Sequence, residues 1–595
     1  MDARTAPSLS QLFQTQAGQY GSRAFLRERV AGKWIDHSWS ELAAASRRLQ
    51  AGLAGIGLGP GDRIAILADN CPQWVVIDQA ALGLGAVVVP LYPTSSAEEI
   101  GHVLRDSGSR AVAVRGLEHL RKLSAICATI PTVTALIAID PETALADGGL
   151  PSTPAVLTLA QLSEGREAPP REGRRDELAT IIYTSGTTGA SKGVMLTHGN
   201  LLSNCAAALA ALNLDDRDET LSFLPLAHSF ERTAGYYTVM AGGGTIAYAE
   251  GLGQIAANLL QVNPTVVLTV PRLLEVIHDR ILRTLDKAPG WRKALFAQAL
   301  RIGARAATYR FRGAPIPLYR RAQMAPMRAL VLRRIRALFG NRLRYLIAGG
   351  APLPKDIFEF FSAAELPLVE GYGLTEAAPV VAVNLLGQTR PGTVGRPLSG
   401  IEVRLAADGE LLIHGPNVMQ GYFNLPADSR EAIDEQGWLH SGDIATIEDG
   451  YIAIRDRKKE IIVLSGGKNV PPAALEAKLL ADPTIAQACV VGDRRKHPAA
   501  LLVPSFERLE EFANQQGLGD RSHQELLEDP LVRDWYHQRM RQINRQLGDY
   551  ERLGSFMLLA TPFTQERGEL TPTLKLRRKA IIEHYQREIE RMYQG

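Results

Sequence analysis

The sequence predicts an α/β protein: a large N-terminal domain with mixed α/β sheets and a β-rich subdomain, then a small α+β C-terminal domain. Three observations point there. Apolar, β-branched runs of strand length recur between helical stretches over the first part of the chain. From Ile401 the texture changes to alternation around Asp-Gly pairs. Beyond Arg455–Glu460, a run of six charges in six residues, a shorter unit begins.

The strand runs are Arg63–Leu67, Ala86–Pro90, Ala179–Tyr183, Thr265–Val270 and Arg344–Ala348. Trp74–Tyr92 is the most apolar stretch, but Asp78, Gln79, Gly83 and Gly85 interrupt it. It reads as a buried helix and strand rather than a membrane span. Residues 165–176 are polar and Pro-rich, and so predict an exposed loop. The hairpins are expected at Ile401–Gly415 and Ile444–Ile454, turning at Asp408-Gly409 and Asp449-Gly450. The later unit should hold strands at Ile461–Leu464, Ala488–Gly492 and Leu501–Pro504 and a helix starting at Pro472. A solvated linker at the charge run divides the chain into domains 1–456 and 457–595.

Composition narrows the class. A chain of 595 residues exceeds one core. Hydrophobic residues at 46% and charged ones at 22% fit a globular chain. The four cysteines, Cys71, Cys127, Cys205 and Cys489, lie far apart and share no metal-ligand spacing, which suits a reducing cytoplasm. The first residues lack a basic segment leading into an apolar run and do not read as a signal peptide. A net charge of +3 argues against a nucleic-acid partner. Yet residues 280–344 carry seventeen Lys or Arg against one acid, Asp286, at roughly helical spacing. That basic helical insert reads either as a set of surface helices with solvated faces or as peripheral contact with an anionic membrane, at its inner face, with Trp291, Phe296, Tyr309 and Phe311 as interfacial contacts.

The sharpest local signal is Tyr183-Thr-Ser-Gly-Thr-Thr-Gly-Ala-Ser-Lys-Gly193, a strand running into small residues, hydroxyls and one lysine. Glycines let backbone N–H groups approach phosphate oxygens, and Thr184, Ser185, Thr187 and Thr188 add hydroxyls around Gly186. Lys192 brings a mobile positive charge. A P-loop is excluded, because Ser191 stands where its second glycine belongs and Gly193 follows the lysine.

This stretch resembles the phosphate-binding signature of the acyl-adenylate-forming superfamily, the AMP-binding enzymes, and further segments match in the same order. The resemblance, closest to the long-chain fatty acid:CoA ligase (acyl-CoA synthetase) branch, spans Tyr183 to Lys575. In Leu224-Pro-Leu-Ala-His-Ser-Phe-Glu-Arg232 it implies that His228 faces the substrate carboxylate. In Ile347-Ala-Gly-Gly-Ala-Pro352, Gly350 and Ala351 would border the base. In Gly371-Tyr-Gly-Leu-Thr-Glu376, Gly371 and Gly373 flank Tyr372, implied to stack on adenine; Thr375 contacts the α-phosphate and Glu376 holds Mg²⁺ together with Thr184. Asp443 is implied to bind ribose with help from Arg457, and Lys459 to be the hinge. Ser465, Gly466 and Gly467 would line the CoA channel. Lys575, in Leu-Thr-Pro-Thr-Leu-Lys, is the candidate catalytic lysine, although Leu574 replaces the commoner glycine before it.

What the resemblance implies is a mobile C-terminal lid and a two-step reaction on a fatty acid, ATP and CoA, with Mg²⁺ as cofactor. A ligase for an aromatic or medium-chain acid, or one loading a carrier protein with the acyl group, stands as the alternative.

Overall fold

A computed structural model describes residues 2–140, 154–184, 191–466, 468–571 and 575–594. The predicted strand runs all form strands, and the two largest sheets are built around them. One sheet takes Val87–Leu91, Arg63–Leu67, Ala111–Val114, Ala135–Ala138 and Ala155–Thr158 in parallel. On its other side Leu178–Thr184 joins in parallel and Lys192–Thr197 in antiparallel. The second sheet orders Thr245–Tyr248, Glu219–Ser222, Val266–Thr269, Tyr345–Ala348 and Leu368–Gly373 in parallel. Most of these strands are buried on both faces, and side chains such as Val88, Ile64 and Leu346 are fully enclosed.

The predicted hairpins pair as Glu402–Leu405 with Glu410–His414 and Leu439–Glu448 with Tyr451–Arg457, inside a third, antiparallel sheet. Asp449 adopts φ 53 and Gly450 φ 79, the left-handed pair such a turn requires. The shorter unit contains Ile485–Val491, Ala499–Pro504 and Ser555–Leu558, and its two apolar clusters draw only on residues from Ile462 onward.

Two expectations need correction. The charge run is not a solvated linker throughout. Its first three residues continue the strand Tyr451–Arg457, Asp456 is buried, and Lys458 is pinned to Asp408 and Glu410 at 2.5 and 3.0 Å. Strand pairing satisfies the backbone there while Lys458 finds its partners on the neighbouring hairpin. In the basic insert, Phe296 and Phe311 turn inward, packing on Phe360 and Phe358 at 6.3 and 5.9 Å. Trp291 remains 64% exposed. Among the described residues, no helix is long and apolar enough to cross a membrane.

A buried ionic node joins the halves of the large domain. Asp78, on the helix Pro72–Leu84 of the first sheet, pairs with Arg232 on the π-helical turn Glu231–Tyr237 at 2.5 Å. Their side chains are 0% and 1% exposed. The hydroxyls of Tyr236 and Tyr237 donate to Asp78, and Arg232 donates to Thr180 on the strand Leu178–Thr184 at 2.7 Å.

Breaking one side of such a pair leaves an uncompensated buried charge. Arg232→Met should cost about 3–5 kcal/mol, measured as a fall in the urea midpoint. Adding Asp78→Asn to that variant should cost little more, because the two groups share one interaction.

Candidate active site

Thr184 ends its strand and pairs across the hairpin with Lys192, while Tyr183 pairs with Gly193. Gly193 is required by packing. A Cβ there would lie 2.7 Å from Ile181 and 3.0 Å from Tyr183. The candidates Ser185, Gly186, Thr187 and Thr188 lie outside the described residues. Lys192 forms an ion pair with Asp428, and its ammonium lies 5.1 Å from the centre of the Tyr422 ring.

His228 is half-buried on the turn leading into the π-helix. Its Nδ1 accepts the Phe230 backbone N–H at 3.1 Å, which leaves Nε2 to carry the proton. Loss of hydration, reinforced by the nearby positive charge of Lys575, pushes its pKa down to about 4. The imidazole is therefore neutral at neutral pH and offers an N–H rather than a charge. Ser229, next along the chain, is 2.9 Å from Thr375, so this turn is tied to the Gly371–Glu376 segment. The Phe230 ring lies over Gly349, where a Cβ would come within 2.9 Å of it.

Gly350 has φ +81, a conformation a side chain disfavours. Ala351 is exposed beside it. Gly371 and Gly373 enclose Tyr372 at the end of the strand Leu368–Gly373, and a Cβ on Gly373 would fall 1.8 Å from the Pro379 carbonyl. Glu376 accepts the Tyr422 hydroxyl at 3.0 Å. Asp443, buried on the strand Leu439–Glu448, accepts the Tyr372 hydroxyl at 2.5 Å and pairs with Arg457 Nε at 3.2 Å. A buried carboxylate held by two donors keeps lone pairs for further donors.

Lys575 reaches this cluster from the C-terminal unit. Its backbone is tied to Thr571, with the Lys575 N–H donating to Thr571 Oγ1 at 3.0 Å and the Thr571 N–H to the Lys575 carbonyl at 2.8 Å. Lys575 is an exposed residue whose ammonium nevertheless lies among charged neighbours. Loss of hydration and the neighbouring Arg457 hold its pKa below the ordinary lysine value, against the pull of Asp443, Glu460 and Glu376. Lys575 is thus near enough for its charge to act on His228 and to feel Arg457, Asp443 and Glu376. Lys459 stands at the exit from the third sheet, close enough for its charge to act on Asp428. Ser465 and Gly466 sit on an exposed turn whose bond runs to the Arg495 carbonyl at 2.8 Å, inside the C-terminal unit rather than to the cluster. Gly467 lies outside the described residues.

Sequence reasoning did not single out Tyr422 and Asp428, which partner Glu376 and Lys192, because their segment follows no chemical pattern. Glu231 lies in the segment Leu224–Arg232, where the resemblance implies a role for His228 alone. Glu231 is buried, accepts the Ser222 hydroxyl at 2.6 Å, and leaves Oε2 without a hydrogen-bond partner among the described residues. Burial pushes its pKa up to about 8.

Single Mg²⁺ ions bound with phosphates use few protein ligands and keep water and phosphate oxygens. One carboxylate, Glu376, and one hydroxyl, Thr184, fit such a site. Among the described residues no group of three or more His, Cys, Asp or Glu residues could form an all-protein cage.

Two family models match: the AMP-binding enzyme over residues 13–423 and the AMP-binding enzyme C-terminal domain over residues 459–595. The chain is 34% identical to the long-chain-fatty-acid–CoA ligase FadD15 of Mycobacterium tuberculosis, covering 95% of this chain and 93% of that protein. It is 30% identical to the peroxisomal long chain acyl-CoA synthetase 6 of Arabidopsis thaliana, over 95% of this chain and 83% of the relative. In fold it is similar to the adenylation domain of a Mycobacterium chelonae carboxylate reductase, with TM-score 0.75 and 23% identity over 100% of this chain and 92% of that one.

Glu231 generates a pH prediction. The folded state keeps its proton up to about 8, whereas an exposed glutamate loses it near 4.5. Its protonated contribution is complete below 4.5 and is lost as pH rises through about 8. Urea stability of the native chain should therefore fall relative to Glu231→Gln across that window, by at most about 1.4 kcal/mol per pH unit.

Proposed function

The chain belongs to the AMP-binding enzyme family, and on that premise we propose that it is a long-chain fatty acid:CoA ligase that works through an acyl-adenylate. The observation that carries this reading is the meeting of Lys575 from the C-terminal unit with His228, Glu376, Asp443 and Arg457 from the large domain. The similarity to two long-chain ligases over nearly the whole chain supports the substrate class.

In the first step a carboxylate oxygen of the fatty acid attacks the α-phosphorus of ATP. A mixed anhydride forms and pyrophosphate leaves. Asp443 accepts hydrogen bonds from the ribose hydroxyls, with Tyr372 and Arg457 holding it in place, and the Tyr372 ring lies along the adenine. His228 donates its Nε2–H toward the crowded carboxylate and phosphate oxygens, and being neutral it does not trap either anion. Lys575 and Lys192 stabilise charge on the phosphates, together with Thr184, Ser185, Thr187, Thr188 and Thr375. Gly371 and Gly373 set the Tyr372 turn, and Gly186, Gly350 and Ala351 admit phosphate and base closely. Thr184 and Glu376 would hold Mg²⁺, whose contribution when bound is to neutralise phosphate charge.

In the second step the CoA sulfur attacks the acyl carbonyl and AMP leaves. For this the C-terminal domain, taken as 457–595, turns about Lys459, withdrawing Lys575 and bringing Ser465, Gly466 and Gly467 toward the acyl-adenylate. The separate apolar clusters of that domain support motion as a unit. Pyrophosphate release with a panel of acids, with and without CoA, tests the whole reading. Long-chain acids should give release and CoA-dependent thioester. Release with only aromatic acids, or transfer only to a carrier protein, would replace it.

The basic insert supports a finer proposal, docking on an anionic bilayer where long-chain acids reside. Of its seventeen basic residues, Arg283, Arg310, Arg328, Arg342 and Arg344 form ion pairs with carboxylates among the described residues. Arg321, Arg333 and Arg334 are exposed, Leu318 is 80% exposed, and Arg320 stacks on Tyr319 at 5.1 Å. Each basic residue at an anionic surface contributes about 1 kcal/mol.

Two outcomes follow. Lys575→Ala should lower acyl-adenylate formation by about a hundredfold or more, while transfer to CoA from supplied acyl-AMP persists. Reversing Arg320, Arg321, Arg333 and Arg334 to Glu should weaken salt-sensitive sedimentation with anionic vesicles and leave activity on detergent-dispersed substrate nearly intact.

A further inference from the structure

The helix Ala97–Ser107 lies in the part of the chain where no motif was recognised, and its apolar side, Ile100, Val103 and Leu104, is buried. Its other side carries Glu99, His102 and Asp106, three and then four residues apart and so on one face. Each of the three makes a contact outside the helix, and all three contacts concern the site described above.

Glu99 Oε1 accepts Arg577 Nη2 at 2.5 Å, across the boundary to the C-terminal unit. Arg577 is two residues beyond Lys575. The carboxylate is already oriented, because its Oε2 accepts the Ser96 N–H at 3.1 Å while the Glu99 N–H donates to Ser96 Oγ at 3.1 Å. His102 Nε2 lies 3.0 Å from the Ser191 carbonyl, to which it must donate. Its ring meets the Tyr183 ring edge-on at 6.2 Å. Asp106 Oδ2 accepts the Tyr183 hydroxyl at 2.5 Å, and its backbone carbonyl accepts Asn424 Nδ2 at 3.0 Å.

Tyr183 precedes Thr184, and Ser191 precedes Lys192. One rigid helix face therefore grips the strand leading into the phosphate-binding segment, the residue leading out of it, and the segment that carries Lys575. We infer that Glu99, His102 and Asp106 are positioning residues for adenylation: the helix is a strut that sets the Lys575 segment in register with the two flanks of the phosphate-binding segment. None of the three touches a reacting atom. The Glu99–Arg577 pair is the part of the strut that must open when the C-terminal domain turns, so it acts on the first half-reaction and not the second. This inference rests on the ligase reading above.

The test uses the full chain and measures both half-reactions: palmitate-dependent ATP–pyrophosphate exchange, and thioester formation from supplied palmitoyl-AMP and CoA. Glu99→Gln and Arg577→Gln keep size and polarity and remove the charge pairing. Each should slow exchange about fivefold, and the double variant should be no slower than either single one. Thioester formation should be unchanged, which also reports that the variants fold. His102→Ala should raise the KM for ATP in exchange and leave transfer from palmitoyl-AMP intact. Additive losses in the double variant, equal slowing of both half-reactions, or an unchanged KM for His102→Ala would overturn the strut. A native chain without exchange on any acid would instead overturn the ligase reading, and the strut with it.

Discussion

The ion pair between Asp78 and Arg232 is the constraint on which the large domain depends. Arg232 follows His228 by four residues, on the π-helical turn that also carries Glu231, Tyr236 and Tyr237. Its guanidinium reaches a carboxylate on one helix and a hydroxyl on a strand of the other sheet. Apolar packing between two sheets tolerates sliding, because dispersion has little directionality. A buried guanidinium with assigned partners does not slide, since any other register leaves a charge without compensation. His228 and Ser229, just before this turn, inherit that register, and with it the contact from Ser229 to Thr375.

From the anchored turn the site extends through electrostatics. Asp443 is held between the Tyr372 hydroxyl and Arg457, which come from different sheets. Lys575 arrives from a separately cored unit into a region where Arg457 repels it and three carboxylates attract it. A lysine poised between opposing terms has little to hold it in place, which suits a group that serves one half of a reaction and then leaves. The docking must then come from contacts outside the reacting groups, and the ion pair from Arg577 to Glu99 is such a contact.

Much of the molecule was legible because the signals are local. The run Arg63–Leu67 is a strand with the predicted ends, since four consecutive aliphatic side chains bury well on both faces of a parallel sheet. The Asp449-Gly450 turn was legible because few residues accept a left-handed backbone. The candidate residues His228, Glu376, Asp443 and Lys575 were reached through the resemblance of their segments to the AMP-binding enzymes, each a match over several consecutive positions. Tyr422, Asp428 and Glu99 were not, because each works through one partner far away in sequence. The charge run 455–460 misled for a related reason. Its polarity is real, but Lys458 meets its counter-charges on Asp408 and Glu410, and only folding brings them near.

By itself, then, the sequence determined the apolar strand runs such as Arg63–Leu67, the two Asp-Gly hairpins and the residue types available at each motif, since backbone preference and side-chain type are properties of short segments. The tertiary structure alone decided which charges are compensated, that Phe296 and Phe311 face inward while Trp291 does not, and that one helix face in the N-terminal third touches both the phosphate-binding strands and the lysine-bearing segment. Those are distances between residues up to 478 positions apart. A chain of this length brings such residues together only through the packing of whole sheets, and no local preference encodes that.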